Sequence, residues 1–396
     1  MSEFPVYIHA CGSHSALGKE ISDIHQSLSG NKKPSMIAED GWLNDGKSTV
    51  VGKAEGSLPT IPSRLAAFDT RNNQLVLSAL QQIEPQIQKA KATYGADRIA
   101  VVVGTSTSGI SDGEVALSAK LNTGEFSDGY HYHKQELGNP AEFIAEYLEL
   151  TGPTYAISTA CSSSGRVFLS AKRLLKSGFV DAVIVGGTDS LCKLTLNGFN
   201  SLEALSNDSC LPFSPNRKGI NIGEASAYML LSAEQKDSDD PIALLGAGDS
   251  SDAHHISAPH PEGKGAIEAM EKALKDAGLE ASEIGYINAH GTATPLNDAM
   301  ESKAANAVFG SQTPISSTKP LTGHTLGAAG IIEASICWHI LKFNLPLPAQ
   351  INDGVKDSKL ADINLVTNQV LEKKAIISNS FAFGGNNISL IFGYQS

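Results

Sequence analysis

Apolar positions along the chain fall into short β-branched runs separated by stretches with helical spacing. Ile99–Val103, Ala182–Val185, Ala227–Leu231, Ile242–Leu245, Ile284–Asn288, Ile376–Ser378 and Ile388–Phe392 read as strands, as do Val6–Ala10 and Thr154–Ile157. Runs that are apolar throughout, alternating with helical patterns, predict a largely parallel sheet buried on both faces. Ser162–Lys176 reads as a helix: Ser164, Val167, Phe168, Ala171, Leu174 and Leu175 recur at three- and four-residue intervals, and Gly178 supplies a stop. A second, mostly apolar helix is predicted over Leu326–Phe343; Glu333, His339 and Lys342 within it argue against a membrane span. Many strands end in small polar turns: Gly104-Thr105-Ser106, Gly186-Gly187-Thr188, His290-Gly291-Thr292 and Gly384-Gly385-Asn386. Ligands collect at strand carboxyl ends in open α/β sheets, so these turns are where chemistry is to be sought.

At 396 residues the chain exceeds one ordinary core, which favours two domains or two halves. The hydrophilic stretch Glu234–Asp240 divides it into residues 1–240 and 241–396. Each part opens with a strand leading to a Gly-polar turn and holds an apolar helix behind a Gly/Ser-rich turn, an echo consistent with internal duplication. The 37 glycines suit tight strand-to-helix turns. A net charge of -12 without any Lys/Arg-rich run argues against a nucleic-acid partner. The five cysteines (Cys11, Cys161, Cys192, Cys210, Cys337) are an odd number without framework spacing, which implies free thiols in a reducing compartment. The N-terminus lacks the charged-then-apolar layout of a leader, so a cytoplasmic protein is expected.

Cys161 stands in Ser158-Thr159-Ala160-Cys161-Ser162-Ser163-Ser164-Gly165, between a strand and a helix. Thiolate is the reactive form of Cys, and a helix N-terminus favours negative charge. A buried structural thiol is the plain alternative. His290 follows the strand Ile284–Asn288, among small and hydroxyl residues. Lys319, His324 and Glu333 span a Gly/Thr-rich turn and the apolar helix after it, and Asn379–Asn387 forms a Gly-rich turn between strands. Each feature alone has a structural explanation; their joint occurrence points to nucleophilic catalysis. Two histidine groups, His131 with His133 and His254 with His255 and His260, lack a Cys or carboxylate complement at zinc-like spacing, so no metal is expected.

As they stand, these residues resemble the β-ketoacyl-acyl-carrier-protein synthases of the thiolase superfamily. The likeness runs through Gly104-Thr105-Ser106, the Cys161 turn, Gly186-Gly187-Thr188-Asp189, Pro212-Phe213 and Arg217-Lys218-Gly219. It continues through Gly223-Glu224, both histidine loops and Asn379-Ser380-Phe381. The resemblance implies a thiolase-like α/β fold, five-layered αβαβα, made of two similar halves. It also implies a decarboxylative Claisen condensation: Cys161 carries the acyl group, and malonyl carrier protein supplies two carbons. His290 and His324 would donate hydrogen bonds to the enolate, and backbone N–H groups of Cys161 and Phe383 would form the oxyanion hole. Lys319 and Glu333 would fix and polarise the His324 side. Thr292 and Thr294 would meet the phosphopantetheine arm supplied by the carrier, and Ile220, Phe381 and Phe383 would line the acyl pocket. The family uses no metal and no bound cofactor. Arg64 and Arg71 match its carrier-docking segment.

The chain also departs from the family pattern. Ile220 replaces an aromatic residue in Gly219-Ile220-Asn221-Ile222-Gly223-Glu224, Asn386 replaces Thr, and Asp128–His133 forms an unfamiliar loop. These differences predict a specialised pathway, aryl-polyene or other type II polyketide, with ordinary fatty-acid elongation as the alternative. An acyl carrier protein is the expected partner, within a homodimer or a heterodimer with a chain-length-factor-like subunit. A non-catalytic chain-length factor would not need Cys161, His290 and His324. A degradative thiolase would carry a second reactive Cys where Phe383-Gly384-Gly385-Asn386 stands.

Overall fold

The computed structural model describes residues 4–235 and 241–395, so the expected boundary at residue 240 lies outside the described residues. Ten strands carry the fold: β1 (Val6–His14), β2 (Ile99–Gly104), β3 (Thr154–Ile157), β4 (Ala182–Asp189), β5 (Ala225–Ser232), β6 (Ile242–Ser251), β7 (Ile284–Asn288), β8 (Pro314–Ser316), β9 (Ala375–Phe381) and β10 (Asn386–Tyr394). They hydrogen-bond in the order β8-β7-β9-β10-β6-β1-β5-β4-β2-β3, with the two-residue strand Asn364–Leu365 beyond β8. The first half runs β3-β2-β4-β5-β1 and the second β8-β7-β9-β10-β6. In both, the three outer strands are parallel and the next two pairings antiparallel. Strand order and strand sense therefore repeat from one half to the other.

The expectation of a largely parallel sheet is corrected by this topology. Parallel pairing occupies only the outer part of each half, and the centre is antiparallel. For β9 and β10 the cause is loop length: only residues 382–385 separate them. So short a link closes a hairpin, whereas a parallel pair needs a crossover of a dozen residues or more. β6 also runs past its predicted end at Leu245 to Ser251, through Gly246 and Gly248. A Cβ at either position would come within 2.3 Å of a helix carbonyl, so the lack of side chains lets a helix lie directly on the strand.

Five layers result. Helices α1 (Arg71–Leu80) and α2 (Asn139–Leu148) cover the outer face of the first half through Val76, Leu80, Phe143 and Ile144 against Val101, Val103 and Ile184. α4 (Lys264–Ala277) and α5 (Pro295–Phe309) cover the outer face of the second through Met270, Ala273 and Ala304 against Ile287 and Ile377. Between the two halves lie α3 (Ser163–Lys176) and α6 (Ala329–Phe343), which bury Val167, Phe168, Ile331, Ile336 and Ile340 against Val185, Met229, Leu244 and Phe392. α6 and the turn before it are long and apolar enough to cross a membrane, yet are almost wholly enclosed in the fold. Their apolarity is used in a core, as expected of a helix hydrophobic all round.

Candidate active site

The amino ends of α3 and α6 meet at the centre of the molecule, and glycines allow the approach. A Cβ on Gly330 would lie 2.6 Å from the Gly165 backbone nitrogen, and one on Gly104 would lie 2.3 Å from that of Ser164. Ser164 Oγ also accepts the Ile331 N–H at 3.0 Å. Asp189, at the end of β4, ties the same region together. Its Oδ1 accepts from the backbone N–H of Ser106 and Thr107, at 2.8 and 2.7 Å, and its Oδ2 accepts from Ala328 N–H at 2.9 Å.

Cys161 sits just before α3. Ala160, immediately ahead, holds φ 53°, the left-handed region that a residue with a Cβ seldom adopts. Ser163 Oγ donates to Ala160 O at 2.5 Å and accepts Thr159 N–H at 2.9 Å, and these bonds hold the elbow. The histidine loops show the same strain, at Ala293 (φ 62°) after His290 and Leu326 (φ 54°) after His324. Such residues persist only where the surroundings over-determine them, and they cluster at functional sites.

The three loops bring Cys161, His290 and His324 together. His324 Nε2 lies 3.1 Å from Cys161 Sγ, and the two imidazole rings stand nearly perpendicular with centroids 5.4 Å apart. The tautomer of each ring follows from its other nitrogen. Leu326 N–H donates to His324 Nδ1 at 3.1 Å, so the proton of neutral His324 is on Nε2 and points to the sulfur. Lys319 Nζ lies 3.4 Å from His290 Nδ1, and an ammonium can only donate, so His290 likewise carries its proton on Nε2. Lys319 in turn donates to Glu333 Oε1 at 2.5 Å. The expected position of this ion pair is thereby corrected. Lys319 and Glu333 stand behind His290, and a backbone N–H supports His324. Lys319 begins the short helix Lys319–Thr322, and that turn carries its side chain to His290 while the chain continues to His324.

Burial governs the electrostatics. It pushes the Cys161 thiol up to about 11, opposed by the Lys319 charge and by the backbone N–H groups of Phe383 and of Cys161 itself. Burial, the Lys319 cation and the neighbouring imidazole hold His290 well below the usual range; burial and Lys319 do the same for His324, so both rings are neutral. Burial raises Glu333 to about 7 against the pull of Lys319.

A cavity of about 390 Å³ reaches Cys161, His290 and His324 from the surface. Ile220, Thr292, Thr294, Phe381 and Phe383 line it, so the structure brings every expected substrate-contacting side chain to one place. Lys319 and Glu333 lie behind the wall. Arg64 and Arg71 do not border the cavity. Arg64 donates to the carbonyls of Glu146 and Tyr147, and Arg71 makes a two-pronged ion pair with the buried Glu224.

Two buried carboxylates that shape the site were not singled out from the sequence. Glu301 accepts the backbone N–H groups of His290 and Gly291, both at 2.7 Å, and Asp298 accepts those of Phe213 and Ala293. Burial raises Glu301 to about 7 and Asp298 to about 6. The available signal was two acids three residues apart, on one face of the helix that follows the His290 loop.

Family models for the beta-ketoacyl synthase N-terminal domain and C-terminal domain match residues 3–237 and 243–352. A 3-oxoacyl-[acyl-carrier-protein] synthase 2 of Staphylococcus aureus (strain COL) is 34% identical over 313 residues, 75% of each chain. One from Synechocystis is 35% identical over 314 residues, again 75% of each. Among solved structures, a ketosynthase (ApeO) in complex with its chain length factor (ApeC) from Xenorhabdus doucetiae is 51% identical. The match covers 99% of this chain and 98% of that one, with a TM-score of 0.95. The ishigamide ketosynthase/chain length factor is 25% identical, covers 99% of this chain and 100% of that one, and has a TM-score of 0.85.

Proposed function

This chain belongs to the beta-ketoacyl synthase family, and on that premise we propose that it lengthens an acyl group on Cys161 by two carbons drawn from malonyl-acyl-carrier protein. The observation that carries the reading is the convergence on Cys161 of two imidazoles, each presenting Nε2–H, at the base of an open cavity. Cys161 sulfur attacks the carrier thioester, and the N–H groups of Cys161 and Phe383 hold the oxyanion. The carrier thiol departs with the cysteine's proton. Malonyl carrier then loses carbon dioxide, and the charge left on its thioester oxygen is met by His290 and His324 N–H. Neutral donors serve this step because no proton need be transferred to the oxygen. The enolate carbon attacks the Cys161 thioester, the carbon–sulfur bond breaks, and Cys161 leaves as a thiolate that takes up one proton from solvent to restore the thiol. The residues act without a metal or bound cofactor; the phosphopantetheine arm arrives on the carrier and passes Thr292 and Thr294.

For pathway and partner, support comes from the 51% identity to a ketosynthase solved with its chain length factor. We assign the chain to the catalytic half of a similar pair, in a specialised pathway of the aryl-polyene or type II polyketide kind. Ordinary fatty-acid elongation is the competing reading, favoured by the 3-oxoacyl synthase relatives. Intact-protein mass after mixing with saturated, polyenoyl and aryl carrier thioesters separates them, with Cys161→Ala alongside. A Cys161-dependent adduct chiefly from polyenoyl or aryl donors is expected. A preference for saturated donors would return the chain to fatty-acid elongation, and an adduct persisting in Cys161→Ala would remove the nucleophile.

A further inference from the structure

Cys161 Sγ and one ring nitrogen from each of His290 and His324 lie within 4.8 Å of one another, all buried. Among the described residues no other group of three or more His, Cys, Asp and Glu comes so close together. A thiolate and two imidazoles with an open fourth position form a donor set that zinc uses. A buried, cavity-accessible trio of this kind is exposed to capture by soft divalent cations, which would block the nucleophile.

The groups behind the rings have the wrong polarity for that capture. A metal-ligating histidine coordinates through one nitrogen and donates its other N–H to a carboxylate or carbonyl, which fixes the tautomer. Here the outer nitrogen of each ring faces a donor: Lys319 Nζ at 3.4 Å from His290 Nδ1, and Leu326 N–H at 3.1 Å from His324 Nδ1. To ligate through Nε2 each ring would have to move its proton to Nδ1, where it would point at another N–H. The acceptor that would welcome such a proton, Glu333, sits one position too far away, bonded to Lys319. The Lys319 cation further opposes a second positive charge beside it. We infer that Lys319 and the Leu326 N–H make this trio reject soft divalent cations, and that Lys319 is thus a selectivity residue as well as a positioning one. The inference rests on the proposed role of Cys161 only for its purpose, since metal capture can be read without turnover.

The test uses Zn2+ and Co2+ with the full chain. In the wild type, Zn2+ should leave alkylation of Cys161 by iodoacetamide unchanged, and Co2+ should give no thiolate charge-transfer band that disappears in Cys161→Ala. In Lys319→Met/Glu333→Gln, which removes the donor without orphaning a buried charge, His290 can turn its Nδ1–H outward. Zn2+ affinity should then rise about 10- to 100-fold, the scale set by groups behind a ligating histidine, with a Cys161-dependent Co2+ band. Zn2+ protection of Cys161 in the wild type, at the affinity of the double variant, would overturn the inference. So would a double variant with native circular dichroism and no gain in metal binding. If the double variant does not fold, the wild-type arm decides alone: protection refutes, and its absence supports. Loss of condensing activity in any of these proteins bears on the proposed reaction and leaves the metal readout unaffected.

Discussion

At the scale of the residue, the site works by choosing which atom of each imidazole carries the proton. Burial makes both rings neutral, and the donors at their Nδ1 atoms direct both N–H bonds inward. His290→Ala should therefore lower condensation by about 10²- to 10³-fold, the usual effect of losing one donor to a developing oxyanion. Acylation of Cys161, which the proposed mechanism assigns to the backbone N–H groups of Cys161 and Phe383, should survive. Carbon dioxide release and adduct mass, followed separately, check this; equal loss of both steps would show that His290 serves acylation too. Cys161 and the two histidines stood out in the sequence because few residue types support this chemistry. The partner of Lys319 did not, because proximity in sequence suggested His324 while the Lys319–Thr322 turn delivers the side chain to His290.

At the scale of the element, two helix starts and one helix face hold the geometry. Glu301 on α5 accepts both N–H groups at the start of the His290 loop. Glu301→Ala leaves them buried and unpaired, at a cost of about 1–3 kcal/mol each, and Glu301→Gln should recover about half by restoring one acceptor. Urea unfolding of the three proteins measures the difference, and a Glu301→Ala protein as stable as wild type would contradict it. Gly330→Ala tests the crossing of α3 and α6. Its Cβ would fall 2.6 Å from the Gly165 nitrogen, so the helices must separate. Both thermal stability and Cys161 acylation should fall, because Cys161 and His324 are carried on opposite sides of that crossing. Unchanged acylation in a destabilised variant would mean that the loops hold their geometry without the helices. The positions of α3 and α6 were legible from periodicity. The closeness of their crossing was not, since a glycine's contact across two helices leaves no mark in local spacing.

At the scale of the whole molecule, the enclosure of α6 makes stability depend on pH. His339 is buried on that helix beside His25, and burial lowers it to about 3. An unfolded histidine titrates near 6.5, so below that pH the unfolded chain binds a proton that the folded one refuses. This contribution to stability is complete above about pH 6.5 and is lost as pH falls toward 3, at about 1.4 kcal/mol per pH unit. His339→Leu should lower the slope of urea stability between pH 7 and pH 5 by up to about 1.4 kcal/mol per pH unit, the remainder coming from His290 and His324, which burial also holds low. An unaltered slope would place the titrating group elsewhere. The repeated strand order frames the same helix, since each half contributes one central helix and one side of the cleft.

Residue chemistry and local period were written in the chain itself. They specified alternating strands and helices, a cysteine at a helix start, and two histidines and a lysine in Gly/Thr turns. Those features depend on neighbours within a turn or two, so one sequence suffices to read them. The tertiary structure alone decided the antiparallel centre of the sheet, the pairing of Lys319 with His290, the grip of Glu301 and Asp298, and the withdrawal of Arg71 onto Glu224. Each joins residues that are distant in the chain or turned by an intervening helix. Their energies come from burial and from which donor faces which acceptor, quantities that exist only once the chain has closed around them.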